Sequence, residues 1–274
     1  MMIEKIFNTE KPIIGMIHFS PTLGFEHFEG MDVIYEKAVL DLNALEKGGV
    51  DGIMIENNYD LPHKIFVGAE TVASMTYLGT LLRSKTNLPM GINVLWNDYR
   101  AALSIAKVIG AQFVRIPVFV DNIKTDFGKI YGKPKKVIGY RKLIQADDIA
   151  IFTDIQVKHA RMLESKDITV SAREAISQGS NSLIITGKWT GDAPQLEELR
   201  RVRKSVGNFP ILIGSGADKK NVQILLELAT GIIISTSLKE RESLNSKIER
   251  NIKPHYYVVD VEKVKEFIKI VRGE

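Results

Sequence analysis

Short β-branched runs recur along the chain: PIIGMIHF, GIMIEN, MGINVL, FVRIPVFV, IAIFTDIQV, SLIITG, PILIGSG and GIIIST. Most are apolar throughout, without polar alternation. That profile suits parallel strands, which are covered on both faces. Between the runs lie segments with apolar residues at helical spacing. DVIYEKAVLDLNALEKGG is one, and it closes on glycines, a helix stop. GAETVASMTYLGTLLRSKTN, NDYRAALSIAKVIGA, DITVSAREAISQGS, APQLEELRRVRKSVG and DKKNVQILLELATG behave alike, and PKKVIGYRKLIQA does so more weakly. The units repeat roughly every 30 residues, the size of one βα unit. Eight of them predict an α/β fold, a (β/α)₈ TIM barrel forming a single domain over residues 1–274. A doubly wound sheet rarely needs eight uninterrupted units. VDVEKVKEFIKIVRG reads as the closing helix. The polar stretch before it, KERESLNSKIERNIKPHYY, is expected to cross the barrel mouth or wrap a neighbour.

One run breaks the apolar rule. In IAIFTDIQVKHA, Ile149, Ile151, Thr153, Ile155 and Val157 share one face, while Asp154, Gln156 and Lys158 share the other near the C-terminal end. A barrel stave explains this. Ile149, Ile151, Ile155 and Val157 are expected to face the helices, and Ala150 and Phe152 to fill the interior. Asp154, Gln156 and Lys158 then emerge where the axis opens into the mouth.

Composition narrows the chemistry. Of 274 residues, 45% are hydrophobic and 26% charged, enough for a large core beneath a polar surface. Cysteine is absent, which excludes disulfides, thiolate chemistry and Cys-based zinc sites. MMIEKIFNTEKP has no apolar signal-peptide core, and no apolar run approaches the roughly 18 residues that span a bilayer. A cytoplasmic location is expected, with at most peripheral membrane contact. The net charge of +4 is mildly basic. Apart from RRVRK and KPKK the cations are scattered, as on solvated faces, so no nucleic-acid partner is expected.

Chemistry in a barrel of this kind sits at the C-terminal ends of the strands. There the eight runs present His18; Glu56 and Asn57; Asn93, Asn97 and Asp98; Arg115; Asp154, Gln156, Lys158 and His159; Thr186 and Gly187; Gly214, Ser215 and Gly216; and Ser235, Thr236, Ser237 and Lys239. The first halves of the same runs carry almost no polar residues. Glu56, Arg115, Asp154 and Lys158 lie inside apolar runs, where each needs a partner. Glu56 and Asp154 are candidate general bases, or ligands of a hard cation such as Mg²⁺, although no spacing demands a metal or any other cofactor. Lys158 suits charge stabilisation or acid–base work, a Schiff base, or a structural pair with Asp154 or Glu56. Arg115 suits clamping a carboxylate or phosphate. His18 and His159 suit proton transfer or loop orientation.

The last two runs carry a second signal. In ILIGSGADKKN a strand, a glycine-rich turn and a helix start follow one another, and ISTSLK adds hydroxyls and a cation. Loops after the seventh and eighth strands are the usual phosphate site of the barrel. The bland alternative is a tight turn with Asp218 as N-cap. TDFG, with Asp126 and Gly128, lacks the strand context of a kinase metal motif. It lies in a long fourth loop, DNIKTDFGKIYGKP, expected to act as a lid. GKWTGDAP is a second mobile candidate, in which Trp189 either covers a ligand or packs.

GMIHFSPTLG, GVDGIMIEN, PMGINVLWND, TDFGKIYG, TDIQVKHA, LIITGKWTG, ILIGSG and ISTSLK resemble, in order, the motifs of the BtpA/SgcQ family, over roughly residues 11 to 240. The resemblance implies a phosphate-binding TIM barrel, and the family takes its name from a role in photosystem I biogenesis. By position it carries over His18, Glu56, Asn57, Asn93, Asn97, Asp98, Asp126, Gly128, Asp154, Lys158, His159, Thr186, Gly187, Gly214, Ser215, Gly216 and Lys239. The family pattern usually has Arg where this chain has Trp96, and Gln where it has Phe127; if these touch substrate, specificity differs here.

Two readings follow. One is an isomerase, epimerase or lyase acting on a phosphorylated small molecule, a sugar phosphate or nucleotide derivative. Glu56, Asp154 and Lys158 are then catalytic, and His18, Asn57, Asn93, Asp98, Arg115, Asp126, His159 and Thr186 bind substrate. Gly187, Gly214, Ser215, Gly216, Thr236, Ser237 and Lys239 hold phosphate. The other is a non-catalytic assembly or regulatory factor for a membrane complex. A homo-oligomer is expected in either case.

Overall fold

The computed structural model describes residues 2–239 and 255–273. Of the polar stretch expected to cross the mouth, residues 240–254 lie outside the described residues. The eight apolar runs form eight parallel strands: β1 (Ile13–His18), β2 (Gly52–Glu56), β3 (Met90–Asn93), β4 (Phe113–Ile116), β7 (Ala150–Asp154), β9 (Ser182–Ile185), β10 (Ile211–Ile213) and β11 (Gly231–Ile234). They close into a barrel in the order β1-β11-β10-β9-β7-β4-β3-β2. Around it run α2 (Met31–Gly48), α3 (Ala69–Arg83), α4 (Tyr99–Ile109), α5 (Pro134–Leu143), α6 (Ile168–Ser177), α7 (Leu196–Val206), α8 (Val222–Leu226) and α9 (Val261–Arg272). The expected TIM barrel is the fold observed.

The doubly apolar strands supply two separate cores. Ile13, Ile17, Ile53, Ile55, Ile92, Val114, Ile116 and Ile151 point outward and meet the helices. The alternate residues Ile14, Met16, Met54, Phe113, Ala150, Phe152, Ile184, Leu212 and Ile233 fill the interior. Phe113 and Phe152 stack there at 4.7 Å between ring centroids. A short N-terminal helix, α1 (Met2–Phe7), contributes Ile3 and Phe7 to the same interior cluster. Phe7 meets Phe113 edge-on at 5.4 Å. The sequence reading gave this segment no structural role; it packs onto the floor of the barrel.

The fourth loop is a built element. β5 (Asn122–Thr125) and β6 (Gly128–Tyr131) form an antiparallel hairpin, and β8 (Arg161–Met162) pairs with β5 to complete a three-stranded sheet. Its inner side chains Ile123 and Ile130 pack with Trp96, Val118 and Val157. Its outer side chains Lys129, Lys124 and Arg161 stand in one cross-strand row, all exposed.

This sheet depends on how the chain leaves β7. Alternation stops at Asp154. Ile149, Ile151 and Ile155 do pack with the helices, and Ala150 and Phe152 do fill the interior. Gln156, however, has φ 49. Its backbone N–H donates to Asp121 (2.8 Å) and its amide to the Lys166 carbonyl (2.8 Å), so it turns away from the mouth. Val157 turns with it and packs with the added sheet instead of the helices. Left-handed backbone at Gln156 ends the alternation, so Gln156 and Val157 leave their expected faces while Lys158 still reaches the cavity.

Candidate active site

Strand register assembles the site. His18 lies opposite Glu56, Glu56 opposite Asn93, and Asn93 opposite Arg115, so four neighbouring strands present polar side chains at one level. Below that level the barrel is hydrocarbon. Above it opens a cavity of about 470 Å³ walled by residues of all these strand ends. That volume is within the usual ~300–1,000 Å³ of small-molecule sites.

Glu56 is 6% exposed. Its Oε2 accepts a hydrogen bond from Asn93 Nδ2, and its Oε1 lies 3.5 Å from His18 Nε2. Burial raises its carboxyl above the ordinary range, against the pull of Arg115 and Lys158. His18 offers little charge in return. Burial, then the Lys239 ammonium, hold it well below its usual value, so it is neutral at pH 7. Arg115 Nε and Nη2 donate to the two carboxylate oxygens of Asp154, each at 2.8 Å. Both partners are almost wholly buried. Asp154 sits behind Arg115 and does not line the cavity. Lys158 does line it, and burial, with Arg115 adding repulsion, lowers its ammonium to about 8. Lys158 N donates to Thr186 Oγ1 (3.1 Å), and Lys158 Nζ lies 3.5 Å from Thr190 Oγ1.

The other sequence candidates divide clearly. His18, Asn93, Arg115, Asp126, His159, Gly214, Ser215, Gly216, Thr236, Ser237 and Lys239 line the cavity with Glu56 and Lys158. Asn57, Asp98, Thr186 and Gly187 do not. Asn57 Oδ1 accepts from Leu95 N (2.8 Å), fastening the loop after β3. Asp98 caps α4, accepting from the backbone of Arg100 and Ala101, and also holds Val67 N at 3.0 Å. Asn97 likewise braces the backbone of Val118 from both its amide atoms. Asp218 closes the turn before α8, and Asn221 occupies the N-cap position expected for it.

The glycine-rich turn after β10 is pressed against the loop after β9. A Cβ on Gly216 (φ +71) would lie 2.1 Å from the backbone of Asp192 and Ala193, and one on Gly187 2.3 Å from the Asp192 carbonyl. Ser215 Oγ accepts from Gly187 N (3.0 Å) and donates to the Asp192 carbonyl (2.9 Å), and Ser237 Oγ donates to the Ala217 carbonyl (3.0 Å). These hydroxyls are committed. The backbone N–H groups of Ser215, Gly216 and Ala217, all in the cavity wall, donate to no acceptor among the described residues. The buried Ser235 Oγ is likewise without a hydrogen-bond partner there. Sequence reasoning gave Ser235 no role, because Thr236 and Ser237 beside it carry the same chemistry.

Sequence reasoning also missed Tyr59, His63 and Thr190, which sit in irregular loops. Tyr59 bridges the rings of His18 (6.3 Å) and His255 (6.1 Å). His159 Nε2 contacts Thr190 Oγ1 at 2.8 Å, and its ring meets Trp189 edge-on at 5.4 Å. Trp96 and Phe127, the two positions where the resemblance leads one to expect Arg and Gln, both line the cavity. Among the described residues no three His, Asp or Glu side chains converge to hold a metal ion. Glu56 and Asp154, the two sequence candidates for a hard cation, are engaged by Asn93 and Arg115 respectively. No described helix is long and apolar enough to cross a membrane.

Solved structures with the same fold include the wild-type GGGPS of Thermoplasma volcanium (TM-score 0.59, 12% identity, covering 100% of this chain and 96% of that one). N-(5'-phosphoribosyl)anthranilate isomerase from Pyrococcus furiosus is another (TM-score 0.54, 11% identity, 96% and 100% covered). At such identities the likeness is one of fold. Sequence relatives lie nearer. The photosystem I biogenesis protein BtpA of Synechocystis is 36% identical over 91% of this chain and 88% of its own length. An uncharacterised mitochondrial protein of Caenorhabditis elegans is 34% identical over 87% and 89%. The profile of the BtpA family matches residues 9–272, and the chain belongs to that family.

Proposed function

We propose that the cavity is the active site of an enzyme that acts on a small phosphorylated metabolite by acid–base chemistry, as an isomerase, epimerase or lyase. One observation carries the reading. A buried carboxyl with a raised pKa and a buried ammonium lowered to about 8 share one cavity, each moved toward neutrality. A carboxyl and an ammonium each shifted toward the neutral form in one cavity suit acid–base work. Glu56 takes a proton from a carbon beside a carbonyl, held by Asn93 and His18. Lys158, mostly charged at pH 7, steadies the oxyanion that forms and returns a proton to it. Arg115, fixed by Asp154, keeps the field positive where that charge grows. The N–H groups of Ser215, Gly216 and Ala217, with Ser235 Oγ, take the phosphate.

Thermal-shift screening of sugar phosphates and nucleotides identifies ligands. Solvent-deuterium exchange into a ligand, followed by NMR, then tests catalysis. Exchange by the wild type that disappears in Glu56→Gln, with binding kept, supports the reading. Binding with no exchange under any condition overturns it. Borohydride trapping of Lys158 with a turned-over carbonyl substrate decides whether a Schiff base takes part.

A second reading draws on the role for which the Synechocystis relative is named. Here the same cavity senses a ligand and the barrel serves as a non-catalytic factor in assembling a membrane complex, in peripheral contact with the membrane. Ligand-dependent association without turnover distinguishes it.

A further inference from the structure

We infer that the ligand of this cavity carries a flat heteroaromatic ring besides its phosphate, as a nucleoside monophosphate does. The inference rests on the phosphate reading above and assigns the rest of the molecule.

The cavity has two unlike walls. The wall made by the turns after β10 and β11 offers N–H and hydroxyl donors. The rest of the lining is rich in rings: Trp96 and Phe127 lie across the barrel from those turns, and His63, His159 and Trp189 complete the rim between. The rings themselves are uncharged at pH 7, with Asp126 and Lys158 as the ionic groups beside them in the lining. Burial holds His63 and His159 at about 4, so both imidazoles are neutral at pH 7. This lining is also rigid. Trp96, 6% exposed, is wedged among Val118, Ile123, Ile130 and Val157, with Phe127 packed beside it. His63 meets Phe127 edge-on at 5.2 Å. Trp189, by contrast, is 53% exposed, an indole at the cavity edge whose only ring contact among the described residues is His159.

A phosphorylated sugar alone would set hydroxyls against these rings and leave their faces unused. A heteroaromatic ring would bury them and draw on stacking and edge-to-face contacts. Between the walls, Asn93 Oδ1 is fully buried and accepts no hydrogen bond among the described residues. Its amide is turned by donating to Glu56, so the oxygen is left for a donor from the cavity. A hydroxyl on a ribose joining ring to phosphate stands where such a donor is wanted.

The protein supplies its own reporter. It has two tryptophans, and both line this cavity. Intrinsic fluorescence therefore locates binding, and calorimetry measures affinity. The probes are inorganic phosphate, ribose 5-phosphate, adenosine, and the monophosphates of adenosine, guanosine, cytidine and uridine. At least one monophosphate is expected to bind roughly ten- to a hundredfold tighter than ribose 5-phosphate, the range base–aromatic stacking gives, and to perturb tryptophan emission. Phe127→Ala and Trp189→Ala should each erase most of that preference while leaving ribose 5-phosphate affinity within about twofold. Trp189 is half exposed, so its variant tests the point even if Phe127→Ala folds poorly. Nucleotides binding no tighter than ribose 5-phosphate overturn the ring assignment and leave the phosphate reading standing. Adenosine binding as tightly as its monophosphate overturns the phosphate reading, and the nucleotide assignment with it. No binding by any probe overturns both.

Discussion

Glu56 and Asp154 are two carboxylates at the mouth ends of barrel strands, both nearly excluded from water, in opposite company. Asp154 faces a guanidinium through two parallel hydrogen bonds and stands behind it, out of the cavity. Glu56 faces an amide and a neutral imidazole, in the cavity wall. The first is a closed pair whose charges answer each other. The second is a carboxyl whose burial is only partly offset, so it holds its proton more tightly than a free carboxyl does. Position on a strand does not separate scaffold from chemistry here; the charge of the hydrogen-bond partner does.

Breaking the closed pair should have the largest effect. Arg115→Met leaves Asp154 buried without its cation, a loss of about 3–5 kcal/mol for such pairs. Denaturant unfolding measures it. The double replacement Arg115→Met with Asp154→Leu should recover much of the loss, since an unpaired charge does the damage. Next comes the open site. Glu56→Gln should lower turnover by about 10²- to 10⁴-fold and leave the fold intact, read from single-turnover kinetics beside a melting curve. Third, the rate should fall on the alkaline side with a midpoint near 8, where Lys158 loses its proton, and Lys158→Arg should move that limb upward.

The smallest effects sharpen the contrast through stability against pH. Glu56 holds its proton more tightly folded than unfolded. Its contribution is therefore full below the unfolded value and lost as pH rises through the raised folded value. Glu56→Gln should remove that decline. Lys158 has the opposite sense: folded at about 8 against 10.5 unfolded, it should make the protein gain stability as pH rises between those values. His63 and His159, held at about 4, should cost stability as pH falls from 6.5 toward 4.

Much of this was legible in the sequence. Doubly apolar runs announce buried parallel strands, and an Arg or Glu inside such a run announces a cavity. The three-stranded sheet was hidden because its strands have only two to four residues, each with one cation, which resembles a polar loop. Gln156 was misplaced because period-two reasoning continues through a residue whose left-handed backbone ends it. Asn57 and Asp98 look like ligand contacts from composition, and only the backbone groups they hold show them to be braces. The aromatic wall gathers residues from five separate segments, a convergence no local pattern records.

Gly187 and Gly216 both abut the backbone at Asp192, so the loop after β9 and the turn after β10 interlock like tongue and groove. Barrels of this kind diversify by exchanging one loop at a time while the staves stay put. Here neither loop is a free module. A graft that replaces one without the other would meet a partner cut to a different shape, so for a designer wishing to retune this protein the two loops make a single cassette.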